Sequence, residues 1–297
     1  MNKRIYQSKS DIIFDAINTT ALMLILLAAL YPLLYVVSAS FSDPLSIIQG
    51  KVWLLPDGFT LKAYERVFKN SAIITGYKNT ILYTVVGTFV NLLMTIAGAY
   101  PLSRRDFNGR NLIMAIITFT MFFGGGMIPN YMVIRSLGLI DSFWVMIIPS
   151  AVTVWNLIIM RTFFQNTIPT EMQEAAFIDG CSNMRILVSI VLPLSAPIIA
   201  VTVLFYGVGH WNSFMPALIY LNSESRYPLQ LILRSILLQN QTQSMMDVAN
   251  ETSLEQILAA ESLKYAVIIV ASLPVLLLYP AIQKYFVKGV MVGAIKG

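Results

Sequence analysis

Six apolar runs divide this chain, each long enough to cross the roughly 30 Å hydrocarbon core of a bilayer as a helix. They fall at about 14–40, 76–102, 111–129, 142–164, 194–220 and 263–286. Lipid offers backbone N–H and C=O groups no partner, so each run must close its own hydrogen bonds as a helix. The expectation is an all-α membrane protein with six transmembrane helices in a single domain over 1–297. Composition agrees: 57% of the residues are hydrophobic and 12% charged, against about 25% charged in soluble domains. Pro32, Pro149, Pro216 and Pro274 fall inside runs. Prolines there are tolerated where neighbouring helices satisfy the freed carbonyls, which points to a packed bundle. Gly87, Ala97, Gly98, Gly207 and Gly209 would let helices approach closely.

The N-terminal segment MNKRIYQSKS is basic, and a small-residue VSAS follows the first apolar run, as in a cleaved signal. The apolar core from Ile17 to Val37 is longer than the roughly 7–15 residues of a signal core, so the expectation is an uncleaved first span. An even number of spans puts both termini on one side. The total basic count barely separates the two sides, but short loops near helix ends carry the rule's weight. There the N-terminal Lys3-Arg4, the SRRDFNGR loop with Arg104, Arg105 and Arg110, and the tail with Lys284, Lys288 and Lys296 are basic. Both termini and the loop 165–193 are therefore expected in the cytoplasm, with 221–262 outside. That outer loop carries YPLQLILRSILLQNQ, with apolar residues at 229, 232, 233, 236 and 237. This is the period of an amphipathic helix lying on the membrane or over the outer mouth.

The net charge of +5 is scattered between apolar runs and forms no stripe, which argues against nucleic acid as a partner. One cysteine, Cys181, excludes an internal disulfide, and one histidine with one cysteine leaves too few soft ligands for a zinc site. The phosphate-loop pattern GxxxxGK[ST], HExxH and GxSxG do not occur in the sequence. No Asp or Glu lies deep in a span, as coupling-ion carboxylates of a secondary carrier or channel would, and no internal repeat marks an inverted-repeat transporter.

The loop 165–193 is compact and acidic. Thr170 followed by Gln173 has the spacing of a capping box, which would start a helix at Glu171 behind Pro169. Glu171 and Glu174 fall in its first turn, where the helix dipole favours negative charge. Gly180 suits the left-handed position that ends a helix, and Ser182 or Asn183 can cap a second one running through MRILVSIVL to Pro193. Met172, Ala175, Ala176 and Asp179 share a face by spacing. Helices this short need something to pack on. Two readings follow: a knob for a cleft in a cytoplasmic partner, or a loop helix packed on the chain's own bundle.

Glu174-Ala175-Ala176, then Gly180 after three residues, then Ile190 after nine more, then Leu192-Pro193, resemble the EAA motif of ABC importer permeases, with every fixed position present. The tail QKYFVKGVMVGAIKG is similar to the end of maltose-type, MalG-like sugar permeases. FFGGGMIPNYMVIRSLGLIDSFWVMIIP resembles the Gram-positive LplB- and YtcP-like branch that imports complex oligosaccharides. The resemblance implies a type I ABC importer permease fold in the plasma membrane, in a Gram-positive bacterium. It implies a non-catalytic chain without a bound cofactor, ATP and Mg being used by two partner ATPases. It also implies a second homologous permease forming a heterodimer, an extracellular sugar-binding lipoprotein, and alternating access. The helix bearing Glu171, Glu174, Ala175, Ala176, Asp179 and Gly180, with Ile190, Leu192 and Pro193 behind it, would couple to the ATPases. Glu174 would meet a basic residue there, and Gly289, Gly293 and Lys296 of the tail would reach the same partners.

In YGVGHWNSFMPALIY, Tyr206, His210, Trp211 and Asn212 fall within the fifth span. Rings suit sugar faces and amides suit hydroxyls, so these residues are candidates for a substrate pathway. The alternative is that His210 and Asn212 hydrogen-bond between helices. Asn91, Asn156 and Gln165 stand under the same two readings. Gly124-Gly125-Gly126 lacks the lysine of a phosphate loop and reads as a flexible helix end.

Overall fold

The computed structural model describes residues 8–246, 258 and 261–277, and among them every regular element is helical. The chain forms two compact units, 1–70 with 235–271, and 71–234 with 272–297.

The first unit opens with α1 (Lys9–Ser40), started by a capping box in which Ser8 and Asp11 bond each other's backbone N–H. Its apolar side chains are exposed almost throughout, Leu24 at 63% and Ile25 at 65%, and only Ser38, Ala39 and Ser40 are buried. In water such a helix would not hold its place; in lipid its surface is already solvated. Past its end, α2 (Pro44–Ile48) and α3 (Lys62–Lys69) fold back on it. Ser38 Oγ donates to the Leu54 carbonyl (2.6 Å), and Ser40 Oγ meets the Tyr64 hydroxyl (2.8 Å). Tyr35 meets Tyr265, from the helical residues 261–277, edge to face at 5.8 Å.

The second unit is organised around α4 (Ser71–Ser103), which packs chiefly on α7 (Val154–Thr167) and α11 (Ala196–Trp211). One core joins Ile96, Ala99 and Tyr100 of α4 to Leu157, Met160 and Phe164 of α7 and Ile198 of α11. The remaining apolar runs of this unit bend. After α5 (Arg110–Phe122), residues 123–126 break the helix, and α6 (Met127–Ser136) leaves at 114°. The third run therefore turns instead of ending at 129, since Gly126, at φ +87°, takes a conformation other residues avoid. The fourth run begins as two short 3-10 turns over 143–150 and bends by 51° into α7. The fifth divides into α11 and α12 (Met215–Tyr220).

The loop 165–193 holds α8 (Thr170–Ile178), α9 (Asn183–Ile186), a π turn over Leu187–Val191 and α10 (Leu192–Leu194), after which the chain bends by 83° into α11. The wide turn precedes Pro193, which has no N–H to give and crowds the carbonyl four residues back.

Opposite this loop, Asp141 ties two segments together. Its carboxylate accepts from Ser223 Oγ (2.5 Å), Ser223 N (3.0 Å) and Asn222 N (3.1 Å), and pairs with Arg226 (3.0 Å). These bonds, the Ser223 hydroxyl's first, hold the Asp141 carboxyl well below the usual carboxylate range. Asn79 Nδ2 donates to the Ser225 and Tyr227 carbonyls, and the Tyr83 hydroxyl to that of Arg226. The amphipathic stretch is α13 (Leu229–Met246). Its start packs on α4, with Leu229 N donating to Thr80 Oγ1 (2.8 Å).

Candidate functional site: the 165–193 loop and the cavity above it

Helix α8 is set by its two ends. Pro169, extended at ψ 136°, takes the N-cap place, and no side chain caps the helix. Thr170 is thereby the first helical residue and the Thr170–Gln173 capping box does not form; the cap position belongs to a proline with no side-chain acceptor. The far end is a Schellman motif. Cys181 N donates to the Ala176 carbonyl (2.9 Å) and Gly180 N to that of Phe177 (2.9 Å), with Gly180 at φ +78°. Ser182 then caps α9, its Oγ accepting from Arg185 N at 3.4 Å.

Only Ala176 of α8 is buried, against the core formed with Phe164, Ile168 and Ile186. Glu171, Met172, Glu174, Ala175, Phe177, Ile178 and Asp179 are exposed, Ile178 at 88%. The face expected to carry Met172, Ala175, Ala176 and Asp179 is therefore split, because Ala176 turns inward as the anchor. Of the two sequence readings, the one in which the helix packs on the chain's own bundle is seen at Ala176, which enters the core, and at Phe177, whose ring lies under the Arg104 guanidinium, while Glu171, Met172, Glu174, Ala175, Ile178 and Asp179 stay exposed. Ile190 and Leu192 pack, half-buried, on the same core, while Pro193 is exposed at the turn into α11. Gly289, Gly293 and Lys296 lie outside the described residues.

Within the helical layer, a 420 Å³ cavity opens between α4, the 143–153 segment and α11. Asn91, Asn156, Ser150, Thr153, Phe205, Tyr206 and His210 are among its lining residues. The His210 imidazole Nε2 lies 2.8 Å from Asn91 Oδ1, and Asn91 Nδ2 donates to the Ser150 carbonyl, so the imidazole is the donor to the amide oxygen. The Tyr206 hydroxyl meets Thr95 Oγ1 at 2.8 Å and accepts from Thr153 N at 3.1 Å. These bonds join the three walls. Gly87 permits one of them: a Cβ there would stand 2.5 Å from His210 Nε2. The remaining candidates point elsewhere. Trp211 lines a separate apolar cavity beside Thr88 and Phe89 and meets Tyr77 edge-on at 6.1 Å. Asn212 is exposed at the end of α11, its Nδ2 donating to the Val208 carbonyl (3.1 Å). Gln165 lines a polar cavity at the loop 165–193. The cavity around Tyr206 and His210 is lined mostly by apolar surface, including Val145, Met146, Phe205 and Pro216, with a few hydroxyl and amide groups set into it, a mix that suits the faces and hydroxyls of a sugar.

Sequence reasoning passed over Thr95, Ser150 and Thr153, and over Arg104 with Asp106 in the loop after α4. Part of this was visible as a stripe: Thr80, Thr84, Gly87, Thr88, Asn91 and Thr95 recur at three- and four-residue steps along one face of α4.

Residues 71–292 match the family described as "Binding-protein-dependent transport system inner membrane component". The chain is 40% identical to Protein LplC of Bacillus subtilis over 292 residues, covering 98% of each chain. It is 41% identical to the polygalacturonan/rhamnogalacturonan transport system permease protein YtcP of the same organism, over 96% of this chain and 99% of that one. In three dimensions it is similar to a chain in the crystal structure of a bacterial ABC transporter involved in the import of the acidic polysaccharide alginate. That similarity has a TM-score of 0.86 and 36% identity, over 95% of this chain and 99% of that one. A match of this extent, on a helical fold with apolar, membrane-length helices, places the chain in the binding-protein-dependent transport system inner membrane component family, as an ABC transporter permease.

Proposed function

We propose that this chain is the permease subunit of an importer that moves an oligosaccharide across the plasma membrane by alternating access, driven by two partner ATPases through α8. The observation that carries the reading is the form of that helix. It is short, closed at one end by Gly180 and anchored by Ala176, and it presents Glu171, Glu174, Met172 and Ile178 to no partner in the described chain. Acidic and apolar groups on a rigid stub suit a groove with a basic residue and an apolar floor.

The oligosaccharide class rests on the cargo named for the relatives and on the cavity at Tyr206 and His210, apolar with hydroxyl and amide groups set into it, where the solute would pass. A second, homologous permease would supply the other half of the pathway, and an extracellular binding lipoprotein would deliver the solute. ATP and Mg would be used only by the ATPases. Both termini and α8 would face the cytoplasm, with Gly289, Gly293 and Lys296 of the tail reaching the same ATPases. The Asp141 knot would then lie on the outer side.

The test is Glu174→Lys in the assembled complex in proteoliposomes loaded with ATP. Expected are normal membrane insertion and loss of ATPase co-purification, of ATP-driven uptake of oligogalacturonides, or of both. Co-purification and uptake both at the parent level would overturn the coupling role.

A further inference from the structure

The loop after α4 contains a contact set that the coupling motif does not include. Arg104 follows α4 by one residue, and only 10% of its side chain is exposed. Its guanidinium is held on every side. Nε and Nη2 donate to the two carboxylate oxygens of Asp106 at 2.8 and 2.6 Å, and Nη1 donates to the Tyr100 hydroxyl at 3.1 Å. The Arg104 fork holds the Asp106 carboxyl below its ordinary range. The Arg104 carbonyl accepts from Arg110 Nη1 at 2.8 Å, fixing the loop behind it. The face of the guanidinium remains, and it lies 4.8 Å from the centre of the Phe177 ring on α8. Tyr100, from the last turn of α4 and 7% exposed, also reaches the second short helix, its hydroxyl donating to the Asn183 carbonyl at 3.4 Å.

We propose that Arg104 is a positioning residue that carries movement of α8 into α4, with the Phe177 ring as the contact on the moving side. This rests on the coupling role proposed for α8. A fork bound to Asp106 and Tyr100 cannot follow Phe177 alone; displacing the ring displaces the end of α4 with it. Helix α4 is continuous from there to the cavity and the outer knot, through Tyr100, Thr95, Asn91, Tyr83 and Asn79. It therefore acts as a lever between the loop and the groups that join the walls of the cavity. Ala176 seats α8 on the bundle by packing alone, without direction; the stacked guanidinium gives the seat an orientation.

The test uses the whole complex, permeases with ATPases and binding protein, in nanodiscs. Cys181 is replaced by serine and a reporter thiol is introduced at Ser213→Cys, a lining residue of the cavity. The readout is the change in maleimide labelling rate on trapping with ATP and vanadate. Arg104→Gln and Phe177→Leu are expected to keep ATPase co-purification and ATP hydrolysis but to reduce that change several-fold. The double variant should be no worse than either single one, as two halves of one contact require. Phe177→Trp, which keeps an aromatic face for the cation, should retain the change. Phe177 is 42% exposed, so its variants do not threaten folding. Undiminished gating in Arg104→Gln and Phe177→Leu would overturn the proposal, as would equal loss in Phe177→Trp. Glu174→Lys separates the two levels. If it blocks gating while the Arg104 and Phe177 variants do not, only the lever fails. If Glu174→Lys is also silent, the coupling role of α8 itself fails.

Discussion

Gly87→Ala places a methyl group where the structure has an imidazole. A Cβ at Gly87 would stand 2.5, 2.6 and 2.8 Å from three ring atoms of His210, closer than carbon atoms pack. The ring cannot simply swing away, because Nε2 is bonded to Asn91 Oδ1 at 2.8 Å and both residues are buried. Overpacking a filled site costs about 1–3 kcal/mol. Breaking an interhelical hydrogen bond within a membrane costs about 0.6 kcal/mol, at most ~1.7. Together Gly87→Ala should destabilise the helical bundle by about 2–4 kcal/mol. Gly207→Ala is the control on the same pair of helices. Its Cβ would meet only Thr88 Oγ1, at 3.7 Å, an ordinary contact. Unfolding of the purified chain in mixed micelles by graded SDS, followed by tryptophan fluorescence, reads both. The decisive comparison is Gly87→Ala made on a His210→Ala background, where the obstructing ring is gone and the added methyl should cost under about 1 kcal/mol. Equal unfolding midpoints for Gly87→Ala and Gly207→Ala, or an unchanged Gly87→Ala penalty after His210→Ala, would refute the packing derived for α4 and α11.

Three further outcomes are expected. Gly180→Ala forces a side chain into φ +78° with open space around it, so its cost is conformational, about 1–2 kcal/mol. Faster amide exchange across α8 should report it, and Gly180→Asn should be milder. Ser182→Ala removes the cap of α9 and should cost about 1 kcal/mol, read as faster exchange at 183–186 with α8 little affected. Asp141 has a carboxyl lowered on folding, so its contribution is complete above the ordinary carboxylate range. It is lost as acid takes the pH below that range, toward the depressed folded value. Limited proteolysis within 221–228 should therefore accelerate in acid and in Asp141→Asn at neutral pH, while Asp141→Asn should itself be insensitive to acid over that range.

Local chemistry was legible in the sequence; direction and pairing were not. Gly180 and Ser182 act through their own backbone and nearest neighbours, so a glycine and a serine at those spacings announced a helix end and a helix start. Thr170 misled because its hydroxyl competes for the cap with Pro169, whose fixed φ already serves one position earlier. Hydropathy located apolar runs but measures composition, which is the same in a straight helix and in one bent by 114° at 123–126. His210 was legible as an unusual residue, yet its partner Asn91 lies 119 positions away, and only the packing of α4 on α11 brings them together. Arg104 looked like one of several loop cations. Its role depends on Phe177 standing over its free face, and no spacing encodes that.

The measurement that bears most directly on coupling through α8 is a site-directed cross-link. In the Cys181→Ser background, Glu174→Cys would carry a short photoreactive group within the assembled complex in membranes. The expected result is a cross-linked product between this chain and an ATPase, its yield changing between the ATP-bound and nucleotide-free states. The same group at Ser223→Cys, in the Asp141 knot, should give no such product. A complex that hydrolyses ATP and transports, yet yields no ATPase cross-link from position 174 in either state, would contradict the account.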